Sequence, residues 1–294
     1  MANNIGWGQA HANNDIGYGQ GGVNNTIEWA KMYKRSNSGE TVLSPEASPF
    51  IDSALALSLR DLGLGATNVV RVRRSTDNAE QDFTANEFEN GTLESFVGAG
   101  NDGFVSVWYD QLGINNMTQT SASKQPSIVS NGVLNILNGK PIIKRVRSED
   151  SMVSEYSPNG VNRQVYFVGE MTYSNNQGCL IGSQLGGSDY NMFNQQASTS
   201  NIVNNSSIVS SERLNGNSFN YNTRGDIYNS FLQQRLLSYD VDFNFDDNFL
   251  CLGYRPKSAM FNFGMYDMQE LILFEETKDQ LEIENKINEH YGIY

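Results

Sequence analysis

Cysteine and histidine, the side chains most often used as nucleophiles, general bases and zinc ligands, are almost absent from this sequence. The two cysteines, Cys179 and Cys251, can build neither a disulfide framework nor a cysteine-rich zinc site. The two histidines are His11 and His290, which disfavours Ser-His-Asp chemistry. His290 stands beside the last turn of a predicted C-terminal helix, where an imidazolium would interact well with the helix dipole. We expect its role to be structural.

One acidic segment offers oxygen ligands for a metal ion. Residues 240–247 contain four aspartates and one asparagine, and oxygen ligands of this kind suit Ca²⁺. Their spacing matches no EF-hand loop. Val241, Phe243 and Phe245 alternate with the polar residues, which favours a solvated turn whose apolar side chains face the core. The sequence therefore predicts no cofactor, and Ca²⁺ at this segment is left as the alternative.

A second group of residues has the composition of a sugar-binding surface. Aromatic rings with a polar edge, together with Asn or Asp side chains on loops, are the groups by which sandwich lectins hold sugars. The candidate glycan-binding residues are Tyr190, Asn191, Asn194 and Tyr221. The same composition is typical of any asparagine-rich fibre surface, so both interpretations stay open.

The overall charge disfavours two classes of partner. Lys and Arg total 20 against 33 for Asp and Glu, which gives a net charge of −13. Such a chain repels nucleic acid phosphates and anionic membrane surfaces. No stretch approaches the ~20 apolar residues of a membrane span, and the first residues do not have the pattern of a signal peptide. We therefore expect neither nucleic acid binding nor membrane insertion.

Three copies of a short unit occupy residues 1–33. Each copy places Asn-Asn before an isoleucine and an aromatic residue, and the copies repeat every ten or eleven residues or so. In an extended chain, Ile and the ring two residues later face the same side, while the small neighbours allow a second backbone to approach. This pattern predicts docking to a partner, and a disordered tail is the alternative. The candidate anchoring residues are Trp7, Tyr18, Trp29, Gly8 and Gly19.

The rest of the chain has the pattern of an all-β domain. Residues 34–50 are rich in Ser, Gly and Pro and are predicted to form a linker. Residues 51–294 contain short runs of β-forming residues separated by polar turns, and no long helical pattern alternates with them. Strands are predicted at residues 69–74, 103–109, 165–171, 249–254, 260–266 and 269–274.

Two short peripheral helices are expected beside these strands. The first begins after Asp52, because Leu55, Leu59 and Leu62 follow helical spacing before a glycine. The second begins with a capping box formed by Thr277 and Gln280, and carries Ile283, Ile287 and Tyr291 along one face.

Several segments resemble one known family in order and spacing. They are residues 56–62, 70–82, 104–111, 125–129, 138–141, 269–273 and 287–294. Together they resemble the concanavalin A-like, laminin-G-like domain of phage fibre proteins and, more distantly, the catalytic domain of arabinofuranosidase B. The repeats in residues 1–33 resemble the N-terminal repeats of phage virion proteins. The resemblance implies a jelly-roll β-sandwich over residues 51–294, preceded by an extended anchor.

The likeness to arabinofuranosidase raises an enzymatic alternative. Retaining glycosidases hold two carboxyl groups about 5–5.5 Å apart. In that family the nucleophilic glutamate follows a vicinal Cys-Cys, whereas residues 178–190 hold one cysteine and no matching glutamate. Asp110 and Glu270 lie in the resembling strands, but such carboxylates more often cap a turn or pair with an arginine such as Arg71 or Arg73. The sequence therefore predicts a protein that is not an enzyme, without catalytic residues.

The resemblance implies a virion protein, a tail or head fibre subunit that displays a lectin-like domain for attachment to host-surface glycans. Other phage structural proteins would bind the N-terminal repeats, and a homotrimer is the expected assembly. The alternatives are a capsid-decorating protein without a receptor role and a carbohydrate-active hydrolase related to arabinofuranosidase.

Overall fold

The computed structural model describes residues 47–147, 150–154, 156, 163–171, 180–183, 191–192, 209–241, 250–252 and 266–294. The N-terminal repeats, with the anchoring candidates Trp7, Gly8, Tyr18, Gly19 and Trp29, lie outside these ranges, as does most of the predicted linker. The anchor, the trimer and the virion location therefore stay predictions.

A six-stranded antiparallel sheet forms one layer of the domain. Its order is β1 (Leu55–Ser58), β18 (Tyr266–Phe274), β11 (Arg163–Met171), β16 (Arg235–Val241), β14 (Val209–Leu214) and β15 (Asn217–Ser218). The long central strands, β11 and β18, come from distant parts of the chain, so the register between them fixes which remote residues meet.

A ten-stranded sheet forms the second layer. Its main order is β13 (Asn191–Met192), β12 (Ile181–Ser183), β17 (Leu250–Leu252), β10 (Met152–Ser154), β5 (Met117–Thr118), β4 (Gly103–Trp108), β2 (Val70–Arg74) and β3 (Glu80–Phe83). β6 (Ser127–Ser130) pairs with β4 and with β7 (Val133–Leu134), while β8 (Ile136–Leu137) and β9 (Lys140–Pro141) form a separate hairpin. The predicted all-β sandwich is confirmed.

The main hydrophobic core lies between the two sheets. Phe167 and Leu271 from the six-stranded sheet and Val72, Val105 and Trp108 from the ten-stranded sheet are fully buried in it. In the described ranges, three short helices precede the C-terminal one: α1 (Asn86–Glu89), α2 (Thr92–Val97) and α3 (Arg224–Ser230), with a 3-10 turn at Ala122–Lys124. Because side chains alternate along a strand, the six-stranded sheet also presents a second, outer face.

The C-terminal helix α4 (Gln280–Tyr291) covers part of that outer face. Ile283, Ile287 and Tyr291 are buried against Val168 and Ile272, as the sequence pattern predicts. The cap differs from the prediction: the side chain of Asp279, rather than Thr277, accepts hydrogen bonds from the backbone of the first turn. Among the described residues, no helix has the length and apolarity needed to cross a membrane.

The helix predicted from Asp52 is wrong, because Leu55–Ser58 forms strand β1. All four of its residues are buried, since this strand pairs with β18 in a sheet that is covered on both faces. A strand buried on both sides loses its alternating pattern, so three leucines imitate helical spacing. The other predicted strands match β2, β4, β11, β17 and β18, and residues 260–265 lie outside the described ranges.

Candidate functional site

Two carboxyl groups meet on the outer face of the six-stranded sheet, where β11 ends and β18 begins. Glu170 lies directly opposite Asp267 in the antiparallel ladder between these strands. Opposed residues project from the same face with Cβ atoms about 4.5–5.5 Å apart. Val168, two residues before Glu170, faces helix α4, which places Glu170 on the same outer face.

The backbones of β11 and β18 approach each other closely beside this carboxyl pair. The register between the strands shifts between Val168 and Gly169, so β18 carries an extra residue there. A Cβ atom on Gly169 would meet the backbone carbonyl of Asp267 and the ring of Phe167. Only glycine fits at this position, and the close approach fixes the strands that carry both carboxyl groups.

The chain from Ile143 to Arg145 holds Asp267 from the other side. Ile143 and Met268 exchange two backbone hydrogen bonds of 2.9 Å, so this segment extends the sheet next to β18. The backbone N–H of Arg145 donates to Oδ1 of Asp267 at 2.9 Å. Lys144 lies between them in sequence and is bound through its backbone to Ser127 of β6. The carboxyl group of Asp267 is therefore fixed by the backbone.

Burial gives the two carboxyl groups different acidities. Asp267 is 1% exposed, and burial raises its pKa to about 7 against the opposing effects of the Arg145 N–H and the Lys144 charge. The negative charge of Glu170 also raises this pKa. Burial raises the pKa of the half-buried Glu170 as well, while Lys144 lowers it. Asp267 therefore keeps its proton up to a pH of about 7, beside a carboxyl group whose pKa is also raised.

A carboxylate beside a carboxylic acid is an arrangement suited to proton transfer. Enzymes that need an acid and a base at neutral pH hold two titratable groups in surroundings that separate their pKa values. The described residues contain no group of three or more His, Cys, Asp or Glu side chains able to hold a metal ion. Of the acidic segment considered for Ca²⁺, only Asp240 and Val241 are described, and Val241 is buried as predicted.

Neither predicted carboxylate belongs to this pair. Asp110 is buried and accepts backbone hydrogen bonds from Ala56, Leu112 and Asn115, so it caps a turn. Glu270 is fully buried, but its arginine partner is Arg60. Arg71, one of the partners suggested from sequence, pairs with Asp82 instead, and Arg73 donates to Gln125 and Asn78.

The structure describes little of the predicted glycan-binding group. Tyr190 and Asn194 lie outside the described residues, and Asn191 is described only as part of strand β13. The Tyr221 ring is half-buried, and its hydroxyl donates to Glu212 at 3.1 Å. The described residues thus bring none of these four side chains together.

The imidazolium expected at His290 is also corrected. Burial, together with the nearby positive charges of Arg60 and Lys140, lowers the pKa of His290 to about 4 against the effect of Glu270. The imidazole is therefore neutral near pH 7 and packs edge-on against the Tyr291 ring, with 4.7 Å between the ring centroids.

Three solved structures match this chain in fold. A mutant GH54 α-L-arabinofuranosidase soaked with 4-nitrophenyl α-L-arabinofuranoside shares 14% identity with a TM-score of 0.52, and covers 81% of this chain and 62% of its own. An arabinofuranosidase complexed with arabinofuranosyl-α-1,2-xylobiose gives 13% identity, a TM-score of 0.49, and coverages of 81% and 61%. This likeness shows the fold. The chain spans about three fifths of the length of these enzymes.

The prediction that the chain is not an enzyme is contradicted by the fold match with a TM-score of 0.52, because that structure is an arabinofuranosidase. The distant similarity to arabinofuranosidase expected from sequence is confirmed at the level of fold. No protein-family model and no curated protein matches the chain. None of the comparisons supports the phage resemblance.

Sequence reasoning missed both Glu170 and Asp267. The signal available was an acidic residue inside a strand that is largely buried, as in Arg163–Met171 and Tyr266–Phe274. This signal shows that a carboxylate is misplaced in each strand, but only the register between the strands shows that the two meet.

Proposed function

We propose that this chain is a carbohydrate-active β-sandwich domain that hydrolyses a glycosidic bond of the arabinofuranoside type, with Glu170 and Asp267 as its acid pair. The fold shared with arabinofuranosidases supports the substrate class. The observation that carries the proposal is the opposed carboxyl pair, in which the pKa of Asp267 is raised to about 7. A glycosidic oxygen leaves readily only when a carboxylic acid protonates it.

The two members of the pair have different tasks. Glu170 is half-buried and is the group that reaches the glycosidic oxygen, whereas Asp267 is closed off and holds its proton next to it. In the proposed step the proton of Asp267 passes through Glu170 to the leaving oxygen and the C–O bond to the sugar breaks. Water then bonds to the sugar carbon and gives a proton back to the pair. The positive charge of Lys144 lowers the pKa of both carboxyl groups and so stabilises the carboxylate that remains when the proton has left.

Two exposed apolar side chains follow, in the sequence, residues that are bound to the strands of the pair. Leu232 is 54% exposed and follows Phe231, whose carbonyl accepts the backbone N–H of Met171. Val146 is 55% exposed and follows the segment that binds Asp267. Sugars present C–H faces as well as hydroxyl groups, so these two side chains offer apolar contacts beside the acid.

The test compares substrates that differ in their need for an acid. The wild type should release nitrophenol from 4-nitrophenyl α-L-arabinofuranoside and arabinose from arabinofuranosyl-α-1,2-xylobiose. Glu170→Gln should slow the second reaction by about 10²–10⁴-fold and the first much less, because nitrophenolate leaves without protonation. Asp82→Asn, which removes a partly exposed carboxylate of the other sheet, is the control. Absence of turnover by the wild type on both substrates, or equal losses in Glu170→Gln and Asp82→Asn, would overturn the proposal.

A further inference from the structure

A third buried carboxylate belongs to the segment that holds Asp267. Asp150 is fully buried, and its Oδ2 accepts hydrogen bonds from the backbone N–H groups of Val146 and Arg147, both at 2.9 Å. The N–H group just before them, that of Arg145, donates to Oδ1 of Asp267 at 2.9 Å. Three successive N–H groups of one turn are therefore divided between two buried carboxyl groups.

The side chain of Arg147 attaches this turn to the ten-stranded sheet. Its Nε donates to Oδ1 of Asp150 at 2.8 Å, and its Nη2 donates to the backbone carbonyl of Gln125, just before β6, at 2.6 Å. The guanidinium also lies over the ring of Phe104 in β4, 5.0 Å from the ring centroid. Asp150 and Arg147 thus fix the turn against one sheet, while Asp267 belongs to the other.

The orientation of the Arg145 N–H is set from both sides along the chain. On one side, Lys144 exchanges backbone hydrogen bonds of 2.7 and 2.8 Å with Ser127 of β6. On the other side, Asp150 binds the next two N–H groups. Since each peptide unit is planar and each residue has only two soft dihedral angles, these contacts leave the Arg145 N–H little freedom to turn away from Asp267.

The turn stabilises negative charge on the acid pair. The Arg145 N–H and the charge of Lys144 both lower the pKa of Asp267 against the effect of burial, and Lys144 also lowers the pKa of Glu170. A turn that moved away would leave the pKa of Asp267 higher. Its proton would then pass less readily to a leaving group.

We propose that Asp150 is a positioning residue for the acid pair, because it closes the turn that keeps the Arg145 N–H and the Lys144 charge beside Asp267. This inference rests on the hydrolytic function proposed above and deepens it by naming a residue that sets the acidity of the site. Within the described ranges, the side-chain hydrogen bonds of Asp150 all go to the turn, so it acts on Asp267 through the backbone.

The experiment follows the titration of Asp267 itself, through the ¹³C resonance of its carboxyl carbon in the full chain, assigned with Asp267→Asn. Asp150→Asn removes the charge that binds Arg147 and one of the two oxygen acceptors, so the turn should loosen. The midpoint of the Asp267 titration should then move to higher pH by about one pH unit, roughly the worth of one hydrogen bond to a charged group. Arg147→Met leaves both N–H contacts of Asp150 in place and should give a smaller shift of the same sign.

Asp110→Asn is the matched control. Asp110 is 1% exposed and also accepts backbone N–H groups of a turn, those of Leu112 and Asn115. Its replacement should lower the unfolding temperature, as Asp150→Asn should, but should leave the midpoint of the Asp267 titration unchanged.

The shift of this midpoint separates positioning from a general structural role. A midpoint in Asp150→Asn that does not move, that moves to lower pH, or that moves equally in Asp110→Asn would overturn the positioning role. If Asp150→Asn does not fold, the same comparison with Arg147→Met decides. A shift to higher pH in a chain that cleaves no arabinofuranoside would support the positioning role and overturn only the proposed hydrolysis.

Discussion

Strand β18 carries two buried carboxylates, Glu270 and Asp267, that are treated very differently. Glu270 accepts two hydrogen bonds from Arg60, of 2.8 and 3.0 Å, and others from Ser58 and Tyr291. Asp267 receives one backbone N–H and faces another carboxylate. Both are at most 1% exposed. The carboxylate of Glu270, in the middle of the strand, is therefore structural, whereas Asp267, near the start of the strand, keeps a proton available for chemistry.

The surroundings of the two ends fit this division. Helix α4 closes the Glu270 end, and Tyr291 contributes both its ring to the outer core and its hydroxyl to Glu270. Asp267 faces Glu170, which is half-buried. The charge of Glu270 is thus compensated under a helix, whereas Asp267 has no arginine partner and faces a carboxyl group that is partly open to solvent.

The largest loss of stability should follow from breaking the ion pair between Arg60 and Glu270. Arg60→Met leaves a buried carboxylate without its cation, which typically costs about 3–5 kcal/mol. Urea unfolding at pH 7 measures this loss of unfolding free energy. Arg71→Met, which breaks the exposed pair with Asp82, should cost under about 1 kcal/mol. Similar losses of unfolding free energy in the two variants would mean that the buried pair of Arg60 and Glu270 stabilises the fold no more than the pair of Arg71 and Asp82.

The second effect is a pH dependence that originates at Asp267. Its folded pKa is about 7 against its usual value of 3.8, so the unfolded chain releases this proton first as the pH rises. The stabilisation is fully present below pH ~4 and is lost as the pH rises through ~7, by at most roughly 4 kcal/mol. Asp267→Asn should remove this fall and should be more stable than the wild type at pH 8.

The measurement is the difference in unfolding free energy between Asp267→Asn and the wild type from pH 4 to pH 8. Taking the difference removes the contributions of all other titrating groups. Glu170→Gln is the matched control, because it removes the charge that raises the Asp267 pKa while leaving Asp267 in place. It should shift the loss to lower pH. A difference that does not change with pH would mean that Asp267 is ionised throughout.

The sequence was sufficient to predict the all-β sandwich, but not that Glu170 and Asp267 lie opposite each other. Val70 and Val72 alternate with arginines, so β2 could be predicted from its own residues. β1 could not, because burial on both faces hides the strand pattern. Glu270 was recognised as a carboxylate in a strand, yet its partner Arg60 follows from the pairing of β1 with β18, which no local pattern encodes. The same holds for Glu170 and Asp267.

A smaller effect on unfolding free energy concerns the cap of helix α4, which covers Glu270. The Asp279 side chain accepts hydrogen bonds from Leu281 and Glu282 at the start of α4. Asp279→Ala should therefore cost about 1 kcal/mol of unfolding free energy. Thr277→Ala, at the cap predicted from sequence, should change it by less than about 0.5 kcal/mol. The reverse order of the two losses would restore the capping box proposed for Thr277.

The smallest effect is a pH dependence of opposite sign at the Glu270 end. His290 has a folded pKa of about 4, lowered from 6.5 first by burial and then by Arg60. The unfolded chain takes up this proton below pH ~6.5 and the folded chain only below ~4, so stability falls as the pH drops through that window. The ring is partly exposed, and solvent screening should limit the effect to about 1 kcal/mol.

His290→Gln should remove this pH dependence. The difference in unfolding free energy between variant and wild type should therefore favour the variant at pH 4.5 and vanish at pH 7.5. The same series on Asp267→Asn should run the other way. If the stability differences of His290→Gln and Asp267→Asn changed with pH in the same direction, the surroundings of Glu270 and of Asp267 would not differ in the sign of their pH dependence.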